Sequence, residues 1–265
     1  MSDGLLLEKT AAVASITFNR PDKANALDVA WLAEIRDFLQ DVAADAAIRV
    51  VTLRGNGKHF MAGGDLQFLG QLAAQGAEQR AAAAAAPIAG CNELVFAMRR
   101  LAKPIVASVQ GGVAGSAVGL VGACDLVIAA DNAFFVLAHA ALGLCNDGMS
   151  TYFMPRQVGP RKALELALLG DRLMAQDALQ AGLVNFIVPA AQLAEATQKL
   201  VARLAAGPTV AYGAIKKMMN ASLANSLEQQ GLLEAQCYET AARSADFVEG
   251  IKAALEKRNA HFSGS

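Results

Sequence analysis

The feature that most limits what this chain can build is an alternation, through its first half, of short apolar β-rich runs with helical segments. Ala12–Phe18 (AVASITF), Arg49–Leu53 (RVVTL), Pro104–Val109 (PIVASV) and Asp125–Ala130 (DLVIAA) have the near-continuous hydrophobicity of strands buried on both faces. Between the first two lies DVAWLAEIRDFLQDVAAD, an amphipathic helix that begins near Asp28. Strands alternating with helices predict βαβ units, a mostly parallel sheet and an α/β fold. A chain of 265 residues is long enough to bury a sizeable core around such a sheet.

From Ser150 onward the pattern turns helical. Arg161–Gly170 and Ala175–Gly182 read as helices closed by their final glycines. LVNFIV (Leu183–Val188) predicts one more strand. Helical segments follow over Ala190–Ala206, Thr209–Leu223 and Ser226 to about Lys257, the last with Ser226 and Gln229 at capping-box spacing. The Ala73–Ala86 stretch is of low complexity and reads as a mobile helix or lid.

Composition removes several function classes. A net charge of -1 offers no basic field for nucleic acid and no polybasic arm for a membrane surface. The apolar run Val113–Leu142 is interrupted by Asp125 and Asp131 and diluted by Gly and Ala, which suits buried elements better than a membrane span. MSDGLLLEKT lacks the pattern of a signal peptide, and four scattered cysteines (Cys91, Cys124, Cys145, Cys237) fit reduced thiols, so a cytoplasmic location is expected. Three well-separated histidines (His59, His139, His261) form no local ligand set, and no metal is expected.

Two glycine turns stand out. In VTLRGNGKHFMAGGDLQFL a strand runs into Ala62-Gly63-Gly64 and then a helix capped by Asp65 and opened by Leu66. In PIVASVQGGVAGSAVGLVGACD a strand runs into Gly111-Gly112, and Gly115-Ser116 opens a small-residue helix. Each turn lets the backbone approach something closely, and each helix start leaves N–H groups unsatisfied. Together they suit a shared oxyanion hole, each donor of which is worth roughly 10²–10³ in rate. Close helix–sheet packing explains either turn alone. A dinucleotide loop fits poorly, because Gly112, Gly115 and Gly119 do not make GxGxxG. A lone carboxylate, Asp147 in LGLCNDGMS, is either the cap of a helix beginning near Met149 or an acid for chemistry.

FNRPDKANAL (Phe18–Leu27), HFMAGGDL (His59–Leu66), KPIVASVQGGVAGSAVGL (Lys103–Leu120) and LGLCNDGMSTYFMPRQVGPRKALELALLG (Leu142–Gly170), continued by DALQAGLVNFIV, resemble the enoyl-CoA hydratase/isomerase (crotonase) superfamily. The resemblance spans about Leu6 to Lys257. It implies a ββα superhelix over residues 1–190 and, over 191–265, a helical trimerisation region that also covers the site, assembled as a trimer or as a hexamer of two trimers. It further implies acyl-CoA thioester substrates, with coenzyme A present only as part of the substrate. Gly64 and Ser116 would supply the oxyanion-hole N–H groups. Lys23, Ala24 and Ala26, with Ala62, Gly63, Asp65 and Leu66, would line the adenine and pantetheine, and Gly112, Gly115 and His139 are further candidate substrate contacts. Arg20, Lys257 and Arg258 are further candidate phosphate contacts, with Lys23 preferred.

The departures from that pattern bear on the reaction. Family hydratases hold one water between two glutamates, and the matching positions here are Gly119 and His139. Asp147 matches the acid of some family isomerases, which takes a proton from one carbon and returns it two carbons along. The expected reaction is therefore a double-bond shift in an enoyl-CoA, with a divergent hydratase or a non-catalytic acyl-CoA binder as alternatives. CNDGMSTY also resembles the 4-chlorobenzoyl-CoA dehalogenase branch, but the position of that branch's histidine is Asn92. His139 lines the acyl pocket, serves as a second acid/base, or is a satisfied core histidine.

Overall fold

The chain starts with a hairpin, and the computed structural model describes residues 3–265. Strands β1 (Leu5–Thr10) and β2 (Val13–Phe18) pair antiparallel, and β2 then continues parallel onto β3 (Val50–Gly55) across helix α1 (Val29–Ala44). Asp28 caps α1 by accepting the Ala30 N–H, and Trp31, Leu32, Ile35, Leu39 and Val42 form its buried stripe. After β3 come α2 (Leu66–Ala73), α3 (Ala77–Arg100), β4 (Ile105–Val109), β5 (Gly112–Ala114), α4 (Ser116–Ala123), β6 (Leu126–Ala130) and β7 (Phe134–Val136). The remainder is α5 (Ser150–Gln157), α6 (Pro160–Leu169), β8 (Leu173–Met174), α7 (Ala175–Gln180), β9 (Phe186–Val188), α8 (Leu193–Ala205), α9 (Thr209–Ser222), α10 (Leu227–Ala242) and α11 (Ala245–Leu255).

Six strands form one sheet in the order β1-β2-β3-β4-β6-β9, parallel except for β1. Every residue of β4 is buried, as its unbroken apolar run requires of a central parallel strand. Val51, Leu53, Ile105 and Ala107 face a core shared with α1, α3 and α4, whereas Val50, Val106 and Ile128 pack with Leu193 and Val201 of α8 on the other face. A buried hydroxyl pair, Ser108 to Thr197 at 2.7 Å, ties α8 to the middle of the sheet.

A second, shorter layer places the site. Met61 bridges Val113 of β5, and Val113 pairs with Phe135 of β7, so three short segments lie side by side. Each follows a strand of the large sheet (β3, β4, β6) and leads to helix: the ββα repeat. The loops leaving this layer carry Gly64, Ser116 and His139 to one edge.

Three sequence expectations need correction. The segment from Ser226 to Lys257 is two helices, because Ser244 caps a new one by accepting the Phe247 N–H. The strand in LVNFIV is confined to Phe186–Val188. Of the two readings of the low-complexity stretch, helix holds and a separate lid does not: α2 ends at Ala73, and residues from Ala77 belong to a continuous 24-residue helix whose last turns bury Cys91, Leu94, Val95 and Met98. This α3 is the one described helix long and apolar enough to cross a membrane by length and composition, yet those four residues anchor it in the core. The run Val113–Leu142 folds as β5, α4, β6 and β7.

Lys216 of α9 is buried and donates to Met98 O, Lys103 O and Asp125 Oδ2, the last at 2.8 Å. Burial pushes its ammonium below the usual lysine range, against the opposing Asp125 charge. Asp125 in turn accepts the Ile105 N–H, so one ion pair pins α9 to α3 and to the start of β4. Replacing Lys216 by Met leaves Asp125 unpaired and is expected to cost about 3 kcal/mol in urea unfolding. A loss below about 1 kcal/mol would show that the pair does not hold α9 in place.

Candidate active site

The two glycine turns predicted from sequence lie against each other. Gly63 has φ +85°, and a Cβ there would come within 2.7 Å of Ala114 O and 3.3 Å of Gly115 Cα. Ala114 donates its N–H to Met61 O at 2.9 Å. Only glycine tolerates both that φ and that approach. Gly64 leaves the first turn exposed, and Ser116 is the first residue of α4, where the helix itself supplies no acceptor for its N–H. Neither N–H has a backbone partner among the described residues outside regular elements. Two free donors on touching turns, one at a helix N-terminus, are a physical basis for binding a carbonyl oxygen that gains negative charge.

Room for the Ser116 side chain, where the resembled family usually has glycine, comes from Gly148. A Cβ at Gly148 would sit 2.9 Å from Ser116 Cα and 3.1 Å from Ser116 Cβ, and its φ is +60°. The same loop lies on Gly119, where a Cβ would be 1.7 Å from Gly148 O and 2.9 Å from Ser150 N. No side chain of any kind fits at position 119 with this loop in place.

Asp147 is not a helix cap through its side chain. The residue at the start of α5 is Met149, with φ +59°, and it is the Asp147 carbonyl that accepts the Ser150 N–H (3.1 Å) and hydroxyl (2.7 Å). The carboxylate points elsewhere: Oδ1 lies 2.9 Å from His139 Nε2. His139 is 9 % exposed, and the spot a Gly115 Cβ would occupy is 3.6 Å from its Nε2, so the imidazole stands between Asp147 and the second turn. Its Nδ1 and the Nδ2 of the neighbouring Asn146 are buried without a hydrogen-bond partner among the described residues. For Cys91 on α3, burial and, second to it, the Asp147 charge push the thiol up to about 12, so it stays neutral.

The segments expected to line a long substrate are also brought together. Ala62 N donates to Ala24 O and Leu27 N to Gly63 O, which sets residues 24–27 beside 62–64. Lys23 and Leu66 are exposed, and Ala26 is buried. Asp65 is committed to capping α2 through Gln67 N. Arg20 does not offer a free charge: it lies over Trp31, 4.6 Å from the ring centre, and donates to Asp28 and Ala26 O. Arg258 is likewise engaged, by Glu249 and Glu256. Gly112 gives its N–H to His59 Nδ1, which braces the turn.

Sequence reasoning missed Asn25. Its amide donates to Asn56 O, His59 O and Phe60 O and its oxygen accepts Arg20 N–H, locking the Lys23–Leu27 turn to the chain entering the first glycine turn. The available signal was an Asn after the Pro21-Asp22-Lys23 run, a residue type that tolerates positive φ, which both Ala24 and Asn25 adopt.

Comparison with known proteins agrees with this construction. Residues 8–265 match the family model described as enoyl-CoA hydratase/isomerase. The chain is 35 % identical to the 1,2-epoxyphenylacetyl-CoA isomerase of Escherichia coli (strain K12), covering 100 % of both. It is 32 % identical to the crotonyl-CoA hydratase of Syntrophomonas wolfei, covering 98 % of each. The crystal structure of an enoyl-CoA hydratase from Polaromonas sp. JS666 superposes with a TM-score of 0.90 at 30 % identity, over 97 % of this chain and 99 % of that one. With the ββα repeat, the paired turns and these matches together, the chain has the crotonase fold and belongs to the enoyl-CoA hydratase/isomerase family of acyl-CoA-processing enzymes.

Proposed function

We propose that this enzyme shifts a double bond within an enoyl-CoA, with Asp147 carrying the proton and Gly64 and Ser116 N–H groups holding the thioester oxygen as it becomes an enolate. The observation that carries this reading is the pair of positions where family hydratases keep their water-holding glutamates. One is Gly119, filled by Gly148 backbone; the other is His139, already bonded to Asp147. A site without the two carboxylates lacks the usual means to activate water. It retains one carboxylate beside two oxyanion donors, which is what a proton shuttle between two carbons needs. Asp147 removes a proton from C2 of a 3-enoyl-CoA, the electrons spread over the dienolate, and the same proton returns at C4 to give the 2-enoyl-CoA.

The exposed Lys23 is the proposed partner of the CoA phosphates, with residues 24–26 and 62–66 along the pantetheine. Met219, Leu223, Leu227, Tyr238 and Leu255 leave α9, α10 and α11 with exposed apolar surface, which supports assembly as a trimer or as two stacked trimers. A cytoplasmic location is proposed with it, from the four free cysteines and the CoA-linked chemistry.

Asp147→Asn is expected to lower turnover of 3-enoyl-CoA by at least about 10²-fold while binding of the acyl-CoA, measured by calorimetry, is kept. Unchanged turnover refutes the role, and hydration of 2-enoyl-CoA by the wild type refutes the reaction. Gly119→Glu, the substitution that would restore a hydratase glutamate, is expected to bring no water-adding activity and to lower stability by about 1–3 kcal/mol in thermal unfolding, because the Gly148 loop must move. Gain of hydration activity in that variant would contradict the steric argument.

A further inference from the structure

The carboxylate proposed to carry the proton needs a fixed direction, and among the described residues one neighbour is placed to give it. Asp147 sits in a loop between a short 3-10 turn and α5, with glycine on its carboxyl side and its own carbonyl already used by Ser150. Nothing in that local geometry fixes the side chain. Among the described residues Oδ1 meets His139 Nε2 at 2.9 Å, and Oδ2 has no partner.

We infer that His139 is a positioning residue for Asp147: a neutral imidazole whose Nε2–H holds Oδ1 and leaves Oδ2 as the oxygen that takes and returns the proton. This rests on the reading of Asp147 as the proton carrier. The tautomer follows from the surroundings. Nδ1 is buried with no partner, so a proton there would be an unpaired buried donor, whereas a proton on Nε2 finds the carboxylate. His139 is itself held: it opens the 3-10 turn Ala140–Leu142, its carbonyl accepts Leu142 N–H and Leu144 N–H, and its ring edge lies over Gly115. A ring so fixed transmits the position of the second oxyanion turn to the carboxylate, setting the base and the donors at one separation. The order inverts that of a hydrolase triad, where a carboxylate orients the imidazole that acts as base.

The test separates position from mere packing. The amide nitrogen of Gln reaches the place of histidine Nε2, and that of Asn reaches the place of Nδ1. His139→Gln is therefore expected to keep kcat within about tenfold of wild type, and His139→Asn and His139→Leu to lower it about 100-fold, the cost of a misplaced catalytic group, with KM for the acyl-CoA little changed in all three. Equal kcat in the Gln and Asn variants, or a loss confined to KM, overturns the inference. Nitrogen-15 spectra of labelled histidine in the wild-type protein at neutral pH give a readout that needs neither turnover nor a folded variant. A ring protonated at Nε2 alone is expected for His139. A ring protonated at Nδ1, or at both nitrogens, overturns the assignment. Should the enzyme prove to be a hydratase, the reading of Asp147 fails while the spectrum still reports whether the imidazole holds it.

Discussion

Everything at the site depends on three short backbone segments being allowed to touch. Met61, Val113 and Phe135 line up in the small second layer, and the chain leaving each one must pass very close to its neighbour. Gly63 against Ala114 and Gly148 against Ser116 are approaches that any Cβ would block. The large sheet and its helices are held by buried apolar surface, which is non-directional and tolerates small shifts. The oxyanion donors have no such freedom, since hydrogen bonds to a developing charge act only over about 2.7–3.1 Å.

The same closeness bears on the choice of reaction. Where Gly148 main chain rests on Gly119, a glutamate and the water it would hold have no room. Where a second glutamate would stand, an imidazole faces Asp147. On the proposed reading, one loop closes the water site and delivers the carboxylate that replaces it. Ser116, a departure from glycine at the second turn, belongs to the same adjustment, because the loop presents a glycine to it.

The large sheet was legible because buried parallel strands announce themselves as unbroken apolar runs, as in PIVASV, and because Asp28 and Ser226 mark helix starts by side chains that bond backbone. The glycine turns were legible too, since positive φ and close approach admit few other residues. Three things were hidden. The break at Ser244 looks like ordinary helix, because Ser is tolerated inside one until its hydroxyl finds the Phe247 N–H. The Ala-rich half of α3 has no amphipathic pattern and owes its place to the core anchors that follow it. The His139–Asp147 contact could not be read from a separation of eight residues in a loop; it exists because β7 and the loop before α5 return to one edge of the small layer. The residues around Asp147 favoured a helix cap and the family resemblance favoured an acid, and the direction of its carboxylate speaks against the cap.

The most direct test of the account follows the proton itself. A 3-enoyl-CoA deuterated at C2 is turned over in ordinary water, and the 2-enoyl-CoA product is analysed for deuterium at C4. A single carboxylate shuttling between the two carbons predicts that part of the label arrives at C4 before exchange removes it. Complete replacement by solvent hydrogen, or formation of a 3-hydroxyacyl-CoA, contradicts it.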